Sequence, residues 1–265
     1  MSAAALELES VSKIFETNAA LRDVSIAVQP GEVHCLLGDN GAGKSTLIKI
    51  MSGVYQPSSG TMRLAGETVA FGSPREAQAA GIATVFQDVD MFPLMSVSDV
   101  FFLGRELSKG RGPLRRIDRK RADRIALEQI RKMGIRRVDH AAQLVGTLSG
   151  GERQALAISR ALYFGAGILI LDEPTSALGV KEAGVVLQVV EQAKDDGIAV
   201  VFITHNAHHA LKCGDRFTVL IQGEVADQFQ RGERSREEVL NLMAGGEELE
   251  SLQVELDELE NAGSR

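Results

Sequence analysis

The octapeptide GDNGAGKS, Gly38 to Ser45, constrains this chain more than any other stretch. It follows an apolar run, Glu32–Leu37 (EVHCLL), and leads into KSTLIKIM, whose apolar residues recur at helical spacing. A buried strand must stop there, turn through glycines and become a helix. Glycines at 38, 41 and 43 let the backbone bend until several N–H groups converge on one point. The helix starting near Lys44 aims the positive end of its dipole at the same point. Lys44 supplies a point charge suited to β- and γ-phosphates, and Ser45 a hydroxyl suited to Mg²⁺. A plain glycine turn has no use for a lysine followed by the hydroxyls of Ser45 and Thr46. The loop is built for an anion, and its G-x-x-x-x-G-K-S spacing makes that anion a nucleoside triphosphate.

What happens to the triphosphate depends on a second stretch. Ile168–Glu173 reads ILILDE, an apolar strand ending in two carboxylates. Beside a phosphate loop, Asp172 is placed to hold Mg²⁺ through water, and Glu173 to orient and deprotonate an attacking water. An acidic strand end alone would carry little meaning; the loop gives it one. A second glycine–serine cradle, LSGGE (148–152), opens a later helix. One loop already satisfies one triphosphate, so the second cradle raises the question of whose phosphate it holds.

Composition sets the frame. In 265 residues, 44% apolar and 25% charged, there is material for a sizeable core. No apolar stretch approaches the ~20 residues of a bilayer crossing. The start, MSAAALELES, lacks the features of a secretory signal, and Cys35 and Cys213 show no paired spacing. A cytosolic protein is expected. The net charge of −7 sits in the tail, where seven acids lie between Glu247 and Glu260 without a base. The basic run Lys109–Arg137 reads as one solvated helix face, with a nucleic-acid stripe as the competing reading.

The runs GILIL (167–171) and GIAVVFIT (197–204) are short and continuously apolar, as parallel strands covered by helices require. A crossover helix at Lys181–Asp195 joins them. Residues 5–28 read as two short strands divided by a polar loop, 61–71 as a strand pair and 216–225 as a hairpin. A short helix capped by Ser235 follows that hairpin. Residues 99–161 read as mostly helical, with Arg119–Met133 clearly amphipathic. The expected class is α/β, a P-loop fold with a mostly parallel core sheet and a small antiparallel β subdomain. A helical subdomain at about 90–162 belongs to one domain over 1–246, and the acidic tail is 247–265.

With LSGGE standing between the loop and ILILDE, residues 5–245 resemble the ATP-binding subunits of ABC transporters, motif by motif and in order. The resemblance implies that Ser149, Gly150 and Gly151 cap the γ-phosphate of a second copy. That phosphate would be held by the copy's Gly38, Asp39, Asn40, Gly41, Ala42, Gly43, Lys44, Ser45 and Thr46. Two subunits would sandwich two ATP molecules head to tail, and a lone subunit would hold no complete site. Gln87 is then the residue that touches Mg²⁺, with Ser45 and Asp172, and reports to the membrane partner. Glu173 is the base, and His205 holds γ-phosphate and water in register. Phe15 takes the place of an adenine-stacking aromatic, with core packing as the alternative. Gly179 departs from the family's usual aspartate, which puts communication between the two sites in doubt.

SGVYQPSSG (52–60), SPREAQAAGIATVFQD (73–88) and SVSDVFFLGRE (96–106) are similar to importers of monosaccharides such as ribose, xylose or fructose. The implied partners are a second ATPase subunit in a homodimer, membrane permease subunits and, indirectly, a sugar-binding protein, with no nucleic acid. The place would be the inner face of the cell membrane. The apolar Met91–Met95 is read either as lining the groove for a permease helix or as the chain's own core. His208 and His209 are expected at the surface rather than in a metal site. The tail leucines at 249, 252, 256 and 259 suit a loosely attached surface helix. The rival function is a soluble ATPase of the same class acting on nucleic acid or ribosomes. It leans on the basic run 109–137, but lacks the long coiled coil or paired halves of such relatives.

Overall fold

The structure, a computed structural model, describes residues 3–87, 92–110, 116–135, 138–176 and 178–244. The acidic tail and its leucines, with Met91, lie outside the described residues. The chain opens with β1 (Leu6–Phe15), β2 (Asn18–Val28) and β3 (Val33–Leu37), then α1 (Lys44–Met51). Next come β4 (Ser59–Leu64), β5 (Glu67–Val69), α2 (Pro74–Ala79) and β6 (Ile82–Val85). The middle holds α3 (Val97–Phe101), β7 (Ser108–Lys109), β8 (Arg116–Ile117), α4 (Arg119–Lys132) and α5 (Gly150–Tyr163). The last third runs β9 (Ile168–Asp172), α6 (Val180–Asp195), β10 (Ala199–Thr204) and α7 (Ala207–Cys213). It ends with β11 (Arg216–Ile221), β12 (Glu224–Gln230) and α8 (Arg236–Met243).

Six strands form the central sheet in the order β12-β11-β3-β10-β9-β6, all parallel except β12 at one edge. Alternation along each strand divides the core in two. Cys35, Leu37, Leu169, Leu171, Val200 and Phe202 face the helices α3 to α8. Leu36, Ile168, Ile170, Val201 and Ile203 face the other way, onto α1 and an antiparallel sheet ordered β2-β1-β4-β5. Strands buried on both sides explain why β9 and β10 read as unbroken apolar runs.

Register carries the function. Thr204 pairs with Leu37, Ile203 with Asp172 and Val85 with Leu171. The residues that follow these strands therefore leave the sheet at one edge: Gly38, Glu173, His205 and, two residues past β6, Gln87. The carboxyl edge of a parallel sheet is where such folds bind ligands.

Two expectations need correction. Residues 5–28 form two long strands, and the segment read as a polar loop is paired backbone with bulges near Ser10 and Asp23. Both residues have positive φ, and hydroxyls meet their N–H groups: Ser25 Oγ accepts from Ser10 N at 2.8 Å, Ser12 Oγ from Asp23 N at 2.9 Å. Polar side chains thus stabilise a bulged ladder that hydropathy alone reads as a loop. The stretch 99–161, expected to be mostly helical, holds three helices parted by other structure. Glycines 104, 110 and 134 adopt positive φ and break it, and the β7–β8 pair and a 3₁₀ turn at Val145–Thr147 lie between the helices.

Candidate functional site

The loop after β3 owes its shape to three glycines, two of them hemmed in by neighbouring chain. Gly38, Gly41 and Gly43 have φ of 145°, 86° and 100°. A Cβ on Gly38 would strike the Leu220 carbonyl; on Gly43 it would lie 2.8 Å from Leu21 Cδ2 and 2.9 Å from the Ala20 oxygen. Gly41 has open space around it. Gly43 is also the N-cap of α1, so no side chain satisfies the first N–H groups, and no acid stands in the first turn. Five other helices of the described residues carry a side-chain cap, and two of these are reciprocal boxes, Ser149 with Glu152 on α5 and Ser235 with Glu238 on α8. The bare start of α1 is where an anion is stabilised.

Lys44 is buried and folded back over the loop, its Nζ donating to the carbonyls of Gly38 (2.6 Å) and Asp39 (3.0 Å). Burial lowers its pKa, while the charges of Glu173, Asp39 and Asp172 pull it back up. Asp172 shows the converse. Burial and then the charge of Glu173 raise its pKa, against the pull of Lys44 and Lys49. A cavity of about 410 Å³ lies over the loop, lined by Asp39–Gly41 and Gly43–Thr46 and walled by Asn18, Arg22 and Gln222.

Glu173 is the most constrained residue of the site. Its φ is 46°, in the left-handed region that side chains other than glycine rarely adopt. Its N–H continues the sheet to the Ile203 carbonyl, and Ser176 closes a turn beneath it through both N–H and hydroxyl. Oε1 accepts the His205 N–H at 2.9 Å and lies 2.8 Å from His205 Nδ1; Oε2 accepts the Thr204 hydroxyl at 3.2 Å. One helical turn on, His209 Nδ1 meets the buried Thr175 hydroxyl at 2.9 Å. The segment after Glu173 is thus stapled twice to the start of α7.

The structure brings Lys44, Asp172, Glu173 and His205 together, and puts Gln87 on the same edge with its side chain exposed. It does not bring Ser149, Gly150 or Gly151 to the loop, because none of them lines the cavity there. They begin α5, where a Cβ on Gly150 would lie 2.6 Å from Leu178 Cδ2 and one on Gly151 2.7 Å from the Glu182 carbonyl. Phe15 is 39% exposed, its ring edge-on to Tyr55 at 5.3 Å between centroids, which leaves it neither core nor free. His208 is exposed, but His209 is only partly so, and its pKa is lowered by burial and then by His208 and Lys212. Among the described residues, no cluster of three or more His, Cys, Asp or Glu could hold a metal ion.

Thr204, Ser176 and Tyr55 escaped the sequence reading. A threonine directly before His205, at the end of a buried strand, was the available sign of the first.

A glycine cradle on a bare helix start, with a buried lysine and two carboxylates facing it across a parallel sheet, defines a P-loop nucleotide-binding protein. Comparison with known proteins narrows the class. The family described as ABC transporter matches residues 21–176, and the chain belongs to that family. The fructose import ATP-binding protein FrcA of Rhizobium meliloti is 41% identical over 204 residues, 76% of this chain and 78% of that protein. The ribose import ATP-binding protein RbsA of Bacillus cereus is 35% identical over 91% of this chain. Against such ribose relatives the chain spans about half the length, 48% in that case. A nucleotide-free ATP-binding cassette from an ABC transporter has the same fold, with TM-score 0.74 at 24% identity over 91% of this chain and 95% of that one. A dimeric, post-hydrolysis cassette bound to ADP and phosphate gives TM-score 0.70 at 26% identity over 87% and 99%.

Proposed function

We propose that this chain is the ATP-hydrolysing subunit of an importer for a sugar, a monosaccharide of the ribose, xylose or fructose kind. ATP would be bound between two copies. The carrying observation is the division of the machinery. Lys44, Asp172, Glu173 and His205 meet at one sheet edge, while Ser149–Gly151 open a separate helix away from the cavity. Such a chain needs a second one to close its site, and its similarity to fructose and ribose import ATP-binding proteins supports sugar import.

In this reading the N–H groups around Gly38–Gly43 and the start of α1 hold the β- and γ-phosphates, and Lys44 leaves its carbonyls to neutralise them. Phe15, backed by Tyr55, offers a face to adenine. Ser45, Asp172 and Gln87 would hold Mg²⁺, which supplies charge neutralisation at the phosphates; a site with few protein ligands suits that ion. Glu173 takes the proton of the attacking water. His205 now shares Oε1 of that carboxylate, and on closure its ring turns to the γ-phosphate. Ser149, Gly150 and Gly151 of one copy complete the site of the other.

Among the described residues no helix is long and apolar enough to cross a membrane. The membrane partner would seat a short helix in the groove beside β6, where Phe86 and Phe92 are exposed. We place the subunit on the inner face of the membrane, with a sugar-binding protein acting through the permease. The nucleic-acid reading gains nothing here. α4 buries Ala122, Ala126 and Ile130 and turns its basic residues outward, as a solvated helix face does.

The test is Mg²⁺-dependent ATP hydrolysis by the purified chain, with light scattering of Glu173→Gln under saturating ATP. A dimer is expected; a persistent monomer contradicts the reading.

A further inference from the structure

Behind Glu173 the hydrogen bonds close into a circuit. Its Oε2 accepts the Thr204 hydroxyl at 3.2 Å, and Thr204 Oγ1 accepts the Asn206 N–H at 3.0 Å. Asn206 Oδ1, the cap of α7, accepts the His209 N–H at 3.2 Å. His209 Nδ1 then meets the hydroxyl of Thr175 at 2.9 Å, which returns the circuit to a point two residues past Glu173.

Most of that circuit follows from strand pairing and helix capping, but the link from His209 to Thr175 does not. Asn206 already caps α7, so the imidazole adds nothing to the helix start. What it holds is a turn. Ser176 closes the turn onto the Glu173 carbonyl, through its N–H at 3.1 Å and its hydroxyl at 2.8 Å. The turn opens on the φ of 46° at Glu173, a conformation that persists only where its surroundings over-determine it. Ser176 ties the turn to itself, whereas His209 ties it to a separate element. That element is firm, because Ala207, Ala210 and Cys213 of α7 are buried in the core. Burial, and then the charges of His208 and Lys212, keep the His209 pKa below the usual histidine value, so near neutral pH the imidazole faces Thr175 uncharged.

We propose that His209 is a positioning residue for hydrolysis: through Thr175 it holds the turn after β9, and with it the carboxylate of Glu173, against relaxation of the strained backbone. His209 lines no part of the cavity over the phosphate loop, so it reaches the reaction only through Glu173. The inference rests on the reading of Glu173 as base and adds a residue one helical turn beyond His205.

The experiment measures phosphate release from Mg²⁺-ATP by the purified chain. Thr175→Val keeps the volume and removes the hydroxyl, and His209→Leu removes the ring nitrogen. In each, kcat should fall by about 10- to 100-fold, as a small misplacement of a reacting group does, while KM for ATP stays near the parental value. The double variant should fall no further than either single one. Asparagine carries its amide where Nδ1 stands and glutamine one atom further out. His209→Asn should therefore restore most of kcat and His209→Gln should not, a difference that loss of folding alone would not produce. His208→Ala, at the exposed neighbour, should keep parental rates. Added to Glu173→Gln, His209→Leu should slow the residual hydrolysis no further. Parental kcat in both Thr175→Val and His209→Leu, or equal losses in His209→Asn and His209→Gln, overturns the positioning role. Parental turnover in Glu173→Gln instead removes the base on which the inference rests.

Discussion

Glu173 and His205 share one oxygen: Oε1 of the carboxylate lies 2.8 Å from the imidazole Nδ1 and 2.9 Å from the His205 backbone nitrogen. Thr204 fixes the other oxygen. The residue proposed as base is therefore aimed by its neighbour in the adjacent strand before any water arrives.

Glu173→Gln preserves shape and removes the base. ATP binding should persist while phosphate release falls by about 10²–10⁴-fold. Thr204→Val leaves the carboxylate but frees Oε2. Losing that buried bond, about 1–3 kcal/mol, should slow turnover by roughly 5- to 150-fold with little change in ATP affinity. Phosphate-release assays on both variants check the order; turnover at the parental rate in Glu173→Gln would remove it from the role of base.

The glycines of the loop should separate by environment. Gly41→Ala meets no neighbour within 4 Å and adds only the strain of φ 86°, about 1–2 kcal/mol. Gly43→Ala adds strain and a collision with Leu21 and Ala20, together about 2–6 kcal/mol. Thermal denaturation should rank Gly43→Ala well below Gly41→Ala, and calorimetry should find ATP binding lost in Gly43→Ala.

Asp172 gives a pH test. A carboxyl whose pKa is raised on folding holds its proton more tightly in the folded chain. Its contribution to stability is present below the unfolded pKa and lost as pH rises through the folded one. At neutral pH the ionised carboxylate is a net cost, kept for function. Asp172→Asn should therefore melt higher than the parent at pH 7, with the gap closing towards about pH 4. The same variant should lose Mg²⁺ dependence of ATP binding.

Much of this site is legible in the sequence because its parts are local. The loop, the start of α1 at Lys44, the doubly buried β9 and β10, and the carboxylate pair each declare themselves within ten residues. What escapes is held across strands. Thr204 serves Glu173 only because β9 and β10 are neighbours in register, and Tyr55 backs Phe15 only through the tertiary fold. Bulges defeat the reading of β1 and β2, because Ser12 and Ser25 bond backbone where hydropathy sees a loop. Arg105 and Arg160, far apart in the chain, meet on one ring that no periodicity reveals.

The central claim is that each ATP is completed by two polypeptides, and mixing two dead variants tests it most directly. Lys44→Ala removes the phosphate grip and keeps the Ser149 cradle; Ser149→Arg does the reverse. Each alone should be inactive. Combined in equal amounts they should recover about a quarter of parental hydrolysis, since half the dimers would hold one intact site. Full turnover by Ser149→Arg alone, or no recovery in the mixture, would contradict the account.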